Sequence, residues 1–253
     1  PMPERESGMV GNGTMNPPGI AGLSLRQAAL VAGFGLLVMI GTPVAEFKLL
    51  PGLFVPENPA ASIRNVLQNR GMLAAAIIGF TVTFVADIVV SWALYALFAP
   101  VNRAVSMLAA WMRLVYTVIA FVGVLKLVAI YRVLANVALV ESFDPAALES
   151  QVQMLYLSFR YDWSYGLIVF GLHLCLLGYL AWRAAYVPRY VGALLVVAGA
   201  GYVIYDLGPF IAPGTDLGWM FVTFFGELVF MFWLLIRGWF LQDPMPGAGS
   251  PPV

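Results

Sequence analysis

The sequence predicts an all-α fold, a polytopic transmembrane helical bundle of about six spanning helices with short interfacial helices in the two longer loops, and three observations predict it. About six apolar stretches are each long enough to cross a bilayer. The composition is 61% hydrophobic and 10% charged, with a mean hydropathy of +0.87, far from the soluble norm. Asp87, Arg113, Lys126, His173 and Glu227 stand inside the apolar stretches, where a charge needs a partner or a polar cavity.

Residues 1–24 read as a disordered tail rich in Gly, Pro and Asn, without the charged, apolar and cleavage segments of a signal peptide. The transmembrane domain spans 25–238, and residues 239–253 repeat the Pro- and Gly-rich pattern of a tail. Spans are expected over Leu25–Ala45, Met72–Phe98, Val105–Val133, Ser164–Trp182, Tyr190–Tyr205 and Leu217–Ile236. In the fifth, Gly192, Gly199 and Gly201 point to close packing on a neighbouring helix. Asn58-Pro59 and Asp144-Pro145 each place an N-cap before a proline at the first helical position, so short helices are expected to start there. After Asp144, the residues Leu148, Val152, Leu155 and Phe159 form one apolar stripe, which predicts a helix lying on the membrane surface.

Six spans put both ends on one side. The second and fourth connections carry Arg103, Arg183 and Arg189 with no acid, which marks them as cytoplasmic and places the termini with them, in a bacterial inner membrane. Trp163, Trp182, Trp219 and Trp239 at span ends are read as an aromatic belt. Formal net charge is zero, which argues against nucleic-acid binding. With one cysteine, Cys175, and one histidine, neither an internal disulfide nor a zinc site can form; no motif implies a cofactor.

On the second span, Thr83, Asp87, Ser91 and Tyr95 recur every four residues and define an inward polar face. Thr223 and Glu227, four apart on the sixth span, read as one face as well. Arg113 and Lys126 are thirteen residues apart on the third span, so they point roughly 140° from each other and imply separate charge sites. Arg113 is expected to clamp Asp87, Glu227 or both, because its planar fork can satisfy two carboxylate oxygens at once. Lys126 is expected to stay unpaired or to snorkel outward. His173 reads either as an interhelical hydrogen-bonding residue or as a proton carrier.

Several segments carry a resemblance to a known family. They are Ala86-Asp87-Ile88 through Trp92-Ala93-Leu94-Tyr95, Pro100-Val101-Asn102-Arg103, and Ala109-Ala110-Trp111-Met112-Arg113-Leu114-Val115-Tyr116. Later come Phe170-Gly171-Leu172-His173-Leu174, Leu177-Gly178-Tyr179-Leu180, Val187-Pro188-Arg189-Tyr190-Val191-Gly192, and Gly226-Glu227-Leu228 leading to Trp233-Leu234-Leu235. Together these segments resemble the bacterial membrane-protein family DUF4386, a domain of unknown function, and the resemblance implies a membrane architecture and no established activity. Asp87, Arg113, His173 and Glu227 fall inside these segments and Lys126 does not, so Lys126 ranks last among the candidates.

The sequence supports two functional expectations. In one, Asp87, Arg113, His173 and Glu227, with Thr83, Ser91, Tyr95 and Thr223, enclose a polar intramembrane pocket that binds or passes a small solute or a proton. In the other, the chain is a non-catalytic accessory subunit whose charges fix helix registry while its surfaces meet membrane lipids, a second copy or other subunits of a complex. No nucleophile elbow, zinc-protease helix or phosphate loop is present, so an enzyme is not expected.

Overall fold

A computed structural model describes residues 22–242, all of whose regular elements are helical. In chain order they are α1 (Leu25–Leu53), α2 (Pro59–Gln68), α3 (Arg70–Phe98), α4 (Arg103–Ala135), α5 (Val137–Ser142), α6 (Pro145–Arg183), α7 (Arg189–Ile211) and α8 (Gly218–Phe240). Six of them, all but α2 and α5, are long and apolar enough to cross a membrane, so the chain is a multi-pass membrane protein. The expected tails fall almost entirely outside the described residues.

Local chemistry sets most boundaries. Ser24 opens α1 with a capping box, its hydroxyl accepting from Gln27 N–H while the Gln27 side chain accepts from Ser24 N–H. Asn58, Asn102 and Asp144 cap α2, α4 and α6 by accepting from the backbone N–H three residues on. The first span runs eight residues beyond its expected end. Pro43 and Pro51 cannot donate to the helical ladder, and between them the chain widens into a π-helical turn over Ala45–Leu49, closed by Leu50 N–H on the Ala45 carbonyl. Glu46 and Lys48, just beyond the expected end of the span at Ala45, therefore belong to the helix.

A second correction concerns the stripe after Asp144. No separate surface helix exists, because α6 continues without a break for 39 residues. Leu148, Val152 and Phe159 are buried in the core, with Leu155 packed against it. Nothing between Ser158 and Gly166 breaks a helix, so the polar first half and the apolar second half form one rod. Its first half packs against α2, the end of α1 and α4: Phe54 stacks on Tyr156 at 4.1 Å, and Gln153 Nε2 donates to the Pro56 carbonyl at 2.7 Å. Trp163 is also not a belt residue. It is buried edge-on to Phe80 at 5.3 Å, whereas Trp182, Trp219 and Trp239 are exposed.

The glycines on α7 do pack closely. Gly192 and Gly199 lie against Gly178 and Gly171 of α6 so tightly that a Cβ on Gly199 would stand 2.5 Å from the Gly171 carbonyl oxygen. The described ends meet: a Cβ on Gly238 of α8 would touch Ala29 of α1 at 3.0 Å. Thus α1 and α8 join near the termini and part farther along, which opens the interior between them.

Candidate functional site

Among the described residues, two of the polar sites in the bundle differ in access to the surroundings. The first joins α3, α4 and α6. Arg113 is 1% exposed and Asp87 0%, with Arg113 Nη2 at 2.6 Å and Nε at 2.8 Å from Asp87 Oδ1. Both nitrogens converge on one oxygen instead of dividing between two, and Asp87 Oδ2 is buried without a hydrogen-bond partner. Arg113 Nη1 reaches His173 Nε2 at 3.2 Å, and His173 Nδ1 lies 2.8 Å from the Ala109 carbonyl. A guanidinium only donates and a carbonyl only accepts, so this geometry requires neutral His173 with its proton on Nδ1.

Apolar groups seal this triad. The guanidinium carbon sits 5.3 Å over the Phe170 ring, and Nη2 contacts Met39 Sδ at 3.6 Å. Ser91 donates to the Ala110 carbonyl at 2.9 Å, and Thr117 donates to the Arg113 carbonyl at 2.8 Å, so both hydroxyls are spent on α4 backbone. None of Asp87, Arg113 and His173 lines the cavity described next.

That second site is a cavity of about 370 Å³ where α1 and α8 part. One wall is the far half of α1, including Met39, Thr42, Pro43 and Glu46; the facing wall is Phe224–Met231 of α8; the floor carries Thr83, Tyr116, Trp163, Phe170 and Tyr202. Thr42 and Thr83 hydroxyls bond each other at 2.8 Å. Glu46 pairs with Arg160 of α6. Tyr202 sets its hydroxyl beside the Glu227 carboxylate. Among the described residues Glu227 forms no ion pair, although both Arg113 and Asp87 are near enough to act on it through space.

Of the expected pocket residues, Thr83 and Glu227 line the cavity, Asp87, Arg113 and His173 form the sealed triad, and three lie elsewhere or face away. Tyr95 sits near the α3 end, where its hydroxyl accepts from Arg103 Nε at 3.3 Å. Ser91 faces α4. Thr223 is not on the Glu227 face, because residues Gly218–Phe224 form a 3-10 helix with three residues per turn and Thr223 donates locally to the Met220 carbonyl at 2.8 Å. Lys126, expected to be unpaired, meets Asp162 of α6, which the unbroken helix carries opposite it. Both partners are partly exposed, so Lys126→Met should change thermal stability by less than about 1 kcal/mol. A loss above about 2 kcal/mol in a denaturation midpoint series would contradict that reading.

Sequence reasoning missed Glu46, Tyr116, Tyr202 and Asp206. Asp206 is buried on α7 one turn after Tyr202, where it accepts from Ser164 Oγ at 2.6 Å. Its signal was available, since Asp206 is the residue just after the expected end of that span, and α7 runs on to Ile211. Outside the membrane-spanning helices, burial raises the Tyr186 phenol, which donates to the Leu97 carbonyl at 2.5 Å and ties the α6–α7 connection to α3. Among the described residues no three His, Cys, Asp or Glu side chains gather as a metal site.

Comparison with known proteins adds kinship without activity. A family model described as Domain of unknown function (DUF4386) matches residues 31–238. An uncharacterised protein of Archaeoglobus fulgidus is 33% identical over 172 residues, covering 68% of this chain and 89% of the relative. No solved structure matches.

Proposed function

The chain belongs to the DUF4386 family, and on that footing we propose that it is a non-catalytic membrane protein that binds a small molecule in the cavity between α1 and α8, with Glu227 as its polar anchor. One observation carries the reading: Glu227 is a carboxylate in an otherwise apolar and aromatic cavity, and no basic side chain of the described residues pairs with it. The volume suits a small ligand, since such pockets start near 300 Å³. The sealed triad supports a separate, structural role, because groups that no solvent-accessible surface reaches cannot hand anything to a ligand. We further place the protein in a bacterial inner membrane with both termini cytoplasmic, supported by Arg103, Arg183 and Arg189 near the connections on the side of the termini.

Native mass spectrometry of the purified protein tests the cavity. Wild type should carry one small molecule or lipid that Met231→Trp, which fills the cavity, no longer retains. Identical adduct patterns in the two proteins would remove the binding reading. The alternative, an accessory subunit of a membrane complex, draws on the triad alone. It predicts that Glu227→Gln alters neither adducts nor any solute or proton flux in vesicles while assembly stays normal.

A further inference from the structure

The chemistry of the cavity wall selects among ligands, and this inference rests on the binding reading above. Among the described residues no Lys, Arg or His lines the cavity. Of its two acids, Glu46 is neutralised by Arg160, which leaves Glu227, beside the Tyr202 hydroxyl, without an ion-pair partner among the described residues. Around it stand the rings of Tyr116, Phe170, Tyr202 and Phe225, with Tyr202 and Phe224 stacked at 4.1 Å. A carboxylate that lacks an ion-pair partner and lies within aromatic faces attracts a cation through both its charge and the ring quadrupoles, and desolvation strengthens both. A phosphate or carboxylate would instead bring a second negative charge into an apolar site with no donor cation to meet it.

Access points to the same class. The mouth is flanked by Ile40 and Phe47 on α1 and by Phe225 and Leu228 on α8, all more than 40% exposed on the span surfaces that face acyl chains. Because α1 and α8 touch near the termini and separate beyond Leu36, the opening is lateral. We infer that the cavity between α1 and α8 takes a lipophilic organic cation, such as a hydrophobic amine or quaternary ammonium, that enters sideways from the bilayer with its charge on Glu227 and its apolar arm along Phe225 and Leu228.

Radiolabelled tetraphenylphosphonium and the isosteric anion tetraphenylborate test the sign of the charge, using the full chain in phosphatidylcholine nanodiscs. Tetraphenylphosphonium should bind saturably at one site per chain. Glu227→Gln should weaken it by about 10-fold or more, the loss of one charged contact, while Glu227→Asp retains most of the affinity. Retention in the aspartate variant, together with an unchanged elution profile, separates loss of charge from loss of fold. Equal binding of tetraphenylborate, or no effect of Glu227→Gln, would overturn the cationic class while leaving an occupied cavity standing. Saturable binding of neither ion, with an adduct still displaced by Met231→Trp, would likewise reject the cation and keep the pocket.

Discussion

Arg113→Leu should destroy the folded protein. The substitution leaves the Asp87 carboxylate at 0% exposure without its counter-charge and takes away the donor on His173 Nε2, in a sealed site that water cannot enter cheaply. Breaking a buried pair from one side costs about 3–5 kcal/mol, comparable to the whole stability of many domains. Removing both charges is different, since the unmet carboxylate disappears with its partner. Asp87→Leu with Arg113→Leu should therefore recover more monodisperse protein than either single change, although His173 Nε2 still lacks a donor at about 1–3 kcal/mol. The readout is the monodisperse fraction in mild detergent and the thermal midpoint of each variant. Normal yield from Arg113→Leu, or a double variant worse than both singles, would show that the pair is not what holds α3, α4 and α6 in register. Arg113→Lys should also fail, because one ammonium cannot reach both Asp87 Oδ1 and His173 Nε2 with the geometry of a planar fork.

Gly199→Leu should separate α6 from α7. The new Cβ meets the Gly171 carbonyl oxygen at 2.5 Å and the Cys175 backbone nitrogen at 2.8 Å, and main chain cannot rotate away as a side-chain tip can. Overpacking costs about 1–3 kcal/mol where side chains yield, and a backbone contact belongs at or above the upper end. Spin labels on the exposed positions Leu172 and Val197 should report a wider α6–α7 distance together with a lowered midpoint. Gly71→Ala is the control: a Cβ there meets nothing within 4 Å, so stability should hold or rise slightly. An unchanged distance in Gly199→Leu would mean that the two helices have room that their glycines do not suggest.

The six spans were legible because hydrocarbon imposes a length and an apolarity that no soluble helix needs, and α3 and α4 end within two residues of expectation. The cluster of Asp87, Arg113 and His173 was legible as a set of groups requiring company, but the sequence left open which acid Arg113 would meet. Helix phase misled at Thr223, where spacing of four assumes an α-helix and the chain is 3-10. Continuity misled at Asp162 and Arg160, which look like loop charges until α6 is seen to run through them. The π turn hid Glu46 in the same way, since its flanking prolines resemble a helix stop. Tyr116 and Tyr202 carried no signal of their own. The chain has eleven tyrosines, and which of them face a cavity depends on where two helices diverge in space.

The unbroken α6 also fixes how tall the molecule stands. At 1.5 Å per residue its 39 residues reach about 58 Å, nearly twice the 30 Å thickness of the hydrocarbon layer. Its surplus lies on one flank only, braced by α2, so the two faces of the molecule have unlike outlines. A six-helix body of this size would otherwise look much the same upside down. Here a single-particle image of the protein in a nanodisc carries its own fiducial, and the polarity of each particle can be assigned without an added antibody fragment.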